Sequence, residues 1–181
     1  MIRLVFASGR KGEFGTPDGM PWERNREDMK EFKKLTQNQL VIMGNETFKT
    51  LGRKPLPNRE NMILSNNLPY YGIDFDNDGF VFAKVDPDSF GAFLKKIDSQ
   101  IDENVCVIGG ANILKAALPF ADEVYHTVIY EITKEPTVYL PEEGFFEYLH
   151  EPELFARIQA KPLDDKSGMV NFYVPQVRGR F

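Results

Sequence analysis

The 181-residue chain holds one cysteine, one tryptophan and two histidines. A single thiol excludes an intramolecular disulfide framework and points to a reducing, cytoplasmic setting, the host's cytoplasm if the chain is phage-encoded. With Cys106 alone and His126 and His150 far apart, no ligand cluster for zinc can be built, and no metal is expected. Positive charge is also short: 22 Lys and Arg against 27 Asp and Glu leave a net −5. A nucleic-acid surface needs concentrated positive charge, so no such partner is expected, although a small anionic ligand needs only local donors. No apolar run approaches about 18 residues, which argues against a membrane span. The opening MIRLVFASGRKG has too short an apolar stretch for a signal peptide.

What the chain does have is enough apolar side chains (42%) for one continuous core, so residues 1–181 are expected to form a single domain and to act as a monomer. Strand-like runs alternate with helical patterns. Ile2–Ala7, Leu40–Met43, Asn61–Leu64, Phe80–Ala83, Asn104–Ile108 and Glu123–Ile129 read as strands. Helices are predicted from about Arg24 to Leu35, from Asn45 to about Leu51, after Asp86–Pro87–Asp88 with Phe90, Phe93, Leu94 and Ile97 on one face, and over Ala111–Leu118, stopped by Pro119. Leu154–Ala160 and Val170–Val174, around the turn DDKSG, predict an antiparallel hairpin. The fold class is therefore α/β: a central, mostly parallel sheet with helices on both faces and an antiparallel C-terminal hairpin. The stretch from Gly9 to Trp22 reads as a long functional loop, and LPYYGIDFDNDG as an acidic surface excursion.

One acidic residue stands out. Asn25 is a plausible N-cap, with Asp28 three residues later. Met29, Phe32 and Leu35 are predicted to form the apolar stripe, which places Asp28 at the border of the buried face. A carboxylate there is either a first-turn cap or a group kept dry for chemistry. Two strand–glycine–helix junctions, VIMGNETF (Val41–Phe48) and VCVIGGANIL (Val105–Leu114), suit a ligand carrying a pyrophosphate, because glycine lets the backbone approach closely. Neither matches G-x-G-x-x-G, and a pair of tight structural turns explains them equally well. Cys106 reads as a packed core residue. Thr127 and His126 should face opposite sides of their strand. Arg59 reads either as a carboxylate fork or as a solvated loop charge.

Order and spacing join these features. GMPW, then Asp28 and Phe32, then VIMGNETF, GRKPLPNRENMILS, VIGG and a strand ending in YHTVI closely resemble dihydrofolate reductase, from Met1 to about Ile132 and again loosely in the hairpin. The resemblance implies NADPH-dependent reduction of 7,8-dihydrofolate to tetrahydrofolate, serving one-carbon and thymidylate metabolism, with antifolates as further small-molecule ligands. It implies that Asp28 is the single active-site acid gripping the pterin, with Trp22 and Met20 beside it in the catalytic set. Phe6, Ala7, Phe32, Leu56 and Ile108 would line the folate pocket, Thr127 would bond the acid, and Arg59 would fork onto the glutamate carboxylate. Gly15, Met20 and Trp22 would belong to a mobile loop over the nicotinamide. Ala7, Gly44, Asn45, Glu46, Thr47, Leu64, Ser65, Lys84, Ile108, Gly109, Gly110, Ala111, Asn112 and Ile113 fall at cofactor positions, and the Gly-Gly peptide is typically cis in the family.

The chain also departs from that pattern. A basic pair commonly opens the first cofactor helix, whereas Asn45 and Glu46 stand here; Asn112 replaces a basic residue and Asn66 follows Ser65. Losing those charges is expected to weaken preference for the phosphorylated cofactor and to admit NADH, with Lys84 as a replacement cation. The segment TKEPTVYLP lacks the acid that latches the Met20-type loop in well-studied bacterial members. Two rivals are a pyrimidine-reducing enzyme of riboflavin synthesis, with a similar sheet, and a catalytically idle relative serving as a structural subunit.

Overall fold

The computed structural model describes residues 1–75, 80–164 and 166–176. Its strands are β1 (Ile2–Gly9), β2 (Glu13–Gly15), β3 (Leu40–Gly44), β4 (Glu60–Leu64), β5 (Gly72–Phe75), β6 (Phe80–Lys84), β7 (Val105–Gly109), β8 (Glu123–Ile129), β9 (Val138–Tyr139), β10 (Phe155–Pro162) and β11 (Gly168–Pro175). The helices are α1 (Arg26–Thr36), α2 (Asn45–Thr50), α3 (Phe90–Asp98), α4 (Ala111–Ala117) and α5 (Glu147–His150). Nine strands form one sheet in the order β10-β11-β8-β1-β7-β3-β4-β6-β5. The six from β8 to β6 run parallel, and β11, β10 and β5 pair antiparallel at the two edges. No helix among the described residues is long and apolar enough to cross a membrane.

Alternation along β1 sorts the core. Leu4 and Phe6 join a cluster with α3 and α4, while Val5 joins one on the α1 face with Val41, Met43, Cys106 and Ile108. Burying both faces of the parallel strands is what makes their sequences continuously apolar. Cys106 is buried there and its thiol is pushed up to about 11, an inert core residue. The C-terminal end of α1 is tied down from β1, where Arg3 Nη1 donates to the Leu35 carbonyl (2.9 Å) while its Nε pairs with Glu123 (2.7 Å).

Three expectations change. The stretch from Gly9 to Trp22 is not patternless: β2 pairs with β9 across a second, two-stranded sheet. The acidic excursion carries an unforeseen edge strand, β5, which pairs with β6; its residues 76–79 lie outside the described residues, as does Asp165 of the predicted hairpin turn. Met29 is 47% exposed and leaves the apolar stripe. The inward face of α1 runs instead through Asp28, Phe32, Leu35 and Thr36, at spacings of four, three and one, so the carboxylate occupies a stripe position itself.

Candidate active site

α1 begins as predicted, with the Asn25 side chain accepting from the Asp28 N–H (3.0 Å). The cap therefore uses Asn25's side chain and Asp28's backbone, and leaves the Asp28 carboxylate for other work. It lies next to the Thr127 hydroxyl of β8. Burial pushes its pKa up from 3.8 to about 6, and the hydroxyl offsets part of that rise. Val5, Phe32, Leu35, Leu56 and Ile108 belong to the apolar cluster on this face.

Phe6 is a correction. Its ring stacks on His126 (4.7 Å) and meets Phe145 edge-on (5.5 Å) on the opposite face of β1, so its side chain cannot line a pocket beside Asp28. Val5 takes that place. The signal was available in the sequence: Val5 and Ala7 share a strand face, which Phe6 does not.

Arg59 is held rather than solvated freely. Its Nη1 donates to Thr36 Oγ1 (2.9 Å) and its Nε to the Pro57 carbonyl (3.0 Å), with the guanidinium 5.9 Å from the Phe32 ring centroid. Thr36 Oγ1 in turn donates to the Phe32 carbonyl (2.7 Å). Asn61, buried in β4, accepts from the Leu56 N–H and donates to the Leu56 and Arg59 carbonyls, fixing the loop that carries both residues. Sequence reasoning misses Asn61; an amide inside an otherwise apolar strand is its signal.

The loop before α1 closes the other side. Trp22 is buried against Ala7 and Ile129, while Met20 is 52% exposed. Without an acidic latch, the loop is tied by backbone: Thr137 N–H donates to the Gly15 carbonyl and Leu140 N–H to the Gly12 carbonyl (both 2.8 Å), and the Thr133 and Lys134 N–H groups reach the Pro21 carbonyl.

β3 and β7 are paired neighbours whose register shifts at their carboxyl ends, between Ile42 and Met43. The chain leaves β3 toward β4 on one side and leaves β7 toward β8 on the other, which makes this a topological switch point at the strands' carboxyl ends, where ligands of open α/β sheets bind. Gly44 and the cis pair Gly109–Gly110 form its floor, with Thr47 beside it. A Cβ on Gly110 would meet only Thr47 Oγ1, at 3.7 Å, so the bare backbone leaves room for a ligand. A Cβ on Gly44 would meet Ile113 Cδ1 at 2.7 Å, so a side chain there would have to displace the tip of Ile113. Ala111, Ile113 and Asn45 are half-buried close by in sequence, Leu64 is half-buried opposite Gly44 in the sheet, and Asn112 is exposed. The exposed Glu46 pairs with Lys49 (2.7 Å).

The sequence model of the dihydrofolate reductase family matches residues 1–161. The chain belongs to this family. Among its relatives, the dihydrofolate reductase of Buchnera aphidicola is 32% identical over 147 residues, 81% of this chain and 83% of that protein. The dihydrofolate reductase of Mycobacterium leprae is 37% identical over 124 residues, 67% of each chain. A solved dihydrofolate reductase from Enterococcus faecalis, complexed with NADP(H) and RAB-propyl, superposes with a TM-score of 0.74 at 26% identity, covering 97% of this chain and 96% of that one. Membership in the folate-reducing family sets aside the pyrimidine-reducing alternative.

Proposed function

We propose that this chain, as one domain acting alone, reduces 7,8-dihydrofolate to 5,6,7,8-tetrahydrofolate, with NADPH and one proton consumed and NADP⁺ released. The observation that carries the reading is Asp28: a half-buried carboxyl on the inward face of α1, beside Thr127, with its pKa raised to about 6. The open glycine floor between β3 and β7 fits a dinucleotide, whose pyrophosphate would approach backbone at Gly44, Gly109 and Gly110. When bound, the cofactor supplies the hydride that goes to pterin C6.

The residues of the chain do the rest. Asp28 grips the pterin's 2-amino group and N3 and favours protonation at N5, and Thr127 orients the carboxyl. Phe32, Val5, Leu56 and Ile108 exclude water from the reacting rings, which strengthens every polar contact inside. Arg59, held by Thr36 and Pro57, offers its remaining N–H groups to the substrate's glutamate carboxylate. Trp22 and the tied loop position the nicotinamide edge of the site. Asp28, Thr127, Arg59 and the glycine floor all come from one chain, which supports action as a monomer, and the single thiol supports a cytoplasmic setting. The test is NADPH consumption on adding dihydrofolate, blocked by methotrexate. Methotrexate binding without turnover would favour the idle-relative reading instead.

A further inference from the structure

We infer that His126 and Ser8 are positioning residues for hydride transfer: from the face of the sheet opposite Asp28, they fix the first turn of the Gly9–Trp22 segment. Through that turn they hold the Phe14 ring against the cis Gly109–Gly110 floor. The inference rests on the function proposed above. Both side chains are buried, and Ser8 Oγ lies 2.7 Å from His126 Nε2 and 3.0 Å from the Gly9 carbonyl oxygen. The imidazole Nδ1 has no partner among the described residues. If this space needed only filling, a leucine would fill it without desolvating an imidazole and leaving one nitrogen unsatisfied. What the imidazole adds is the contact with Ser8, which keeps that hydroxyl beside the Gly9 carbonyl.

From Ser8 the contacts run on to the floor. The Gly9 carbonyl also accepts from the Gly12 N–H (3.2 Å), closing the turn that leads from β1 into β2. Gly12, at φ +83°, is packed against the same aromatic cluster. A Cβ there would strike the Leu140 carbonyl and come within 3.3 Å of the Phe146 ring, which itself lies tilted 5.3 Å from the His126 ring. The Leu140 N–H in turn donates to the Gly12 carbonyl (2.8 Å). Phe14 stands two residues further on, in β2. Its half-buried side chain packs on the core cluster that contains Phe6, Phe145 and Phe146, and a Cβ on Gly109 would meet its Cζ at 3.4 Å. With Gly9 and Gly12 both pinned to the His126 cluster, a shift of that turn moves the ring bordering the dinucleotide floor. Hydride transfer is sensitive to such shifts, since a misplacement of about 1 Å can cost on the order of 10²-fold in rate.

The test is single-turnover hydride transfer at saturating NADPH, read beside the KM for dihydrofolate and the affinity for NADPH. Ser8→Ala keeps the aromatic packing and removes only the hydroxyl. It is expected to slow hydride transfer about threefold to tenfold while KM and nucleotide affinity stay within about twofold. His126→Leu should slow the step as much, and His126→Gln, whose amide nitrogen can take the place of Nε2, should recover most of the rate. The double variant Ser8→Ala/His126→Leu should be no slower than the slower single one, because the two side chains act as a unit. Phe14→Ala should reproduce the defect, with Ser8→Ala adding little to it. A wild-type rate in both Ser8→Ala and His126→Leu, whatever their stability, or losses that multiply in the double variant, overturns the inference while leaving the reductase intact. A wild-type protein that does not turn over dihydrofolate overturns the function and the inference together.

Discussion

The two faces of the β1–β8 strand pair each bury a titratable side chain, and they use burial in opposite ways. On one face Asp28 lies beside Thr127; on the other, His126 is packed between Phe6 and Phe146, with ring centroids at 4.7 and 5.3 Å. Desolvation disfavours the charged form of both, raising the carboxyl to about 6 and lowering the imidazole to about 3. The imidazole Nε2 meets Ser8 Oγ at 2.7 Å, and that hydroxyl also reaches the Gly9 carbonyl (3.0 Å). Nδ1 has no partner among the described residues. Aromatic rings fill the space around His126, whereas Asp28 lies beside the Thr127 hydroxyl on the face that carries Phe32, Leu35 and Leu56. Burial alone makes a neutral group. In the proposed function the carboxyl meets a ligand and the imidazole does not.

The comparison breaks first at Asp28. Asp28→Asn is expected to lower dihydrofolate turnover at neutral pH by about 10²–10⁴-fold while changing NADPH binding much less, as steady-state kinetics and nucleotide titration will show. The same substitution should stabilise the fold. Between about pH 4 and 6 the folded carboxyl keeps a proton that the unfolded chain releases, so wild-type stability falls as pH rises through that window. Removing the charge recovers on the order of 2 kcal/mol at pH 7, measurable by urea unfolding.

Arg59→Leu sharpens the substrate side. It should raise the KM for dihydrofolate by the equivalent of roughly 1.5–3 kcal/mol while leaving single-turnover hydride transfer nearly unchanged. An unchanged KM would mean that Thr36 and Pro57 are its only purpose. For the opposite face, His126→Leu should flatten the acid limb of stability. The unfolded histidine takes a proton below about 6.5 and the folded one does not until about 3, so wild-type stability is lost as pH falls, by about 2 kcal/mol near pH 5. His150, whose pKa is also lowered by burial, and nearby Glu142 and Arg157 remain in the variant, so the difference between the two curves isolates His126. The smallest effect belongs to Glu46→Arg. Because Lys49 already pairs with Glu46 at the surface, NADPH affinity should improve only about twofold at low ionic strength, and the gain should vanish with added salt.

Much of this is legible in the residues alone. Periodicity locates α1 and its Asn25 cap, and the apolar runs locate the six parallel strands, because fully buried strands leave an unbroken apolar signature. The edges are less legible. β2, β5 and β9 are short, with β5 and β9 largely exposed, and β2 and β9 find each other across more than a hundred residues that no local pattern spans. Polarity alone gives Met29 the apolar position and leaves Asp28 at the border of a stripe that it in fact occupies. A motif's place alone puts Phe6 in the pocket, and strand alternation corrects it to Val5. The sequence names Lys84 without a location, and only the register of β5, β6 and the Leu68 carbonyl supplies one.

The central claim is that Asp28 is the acid of the site, and single-turnover hydride transfer across pH tests it most directly, with wild type and Asp28→Asn side by side at saturating NADPH. The account predicts that the two rates converge as the solution becomes acidic enough for solvent to protonate N5, and diverge above an apparent pKa near 6 that only the wild type shows. Parallel profiles, with the same titration surviving in Asp28→Asn, would place the acid elsewhere and contradict the account.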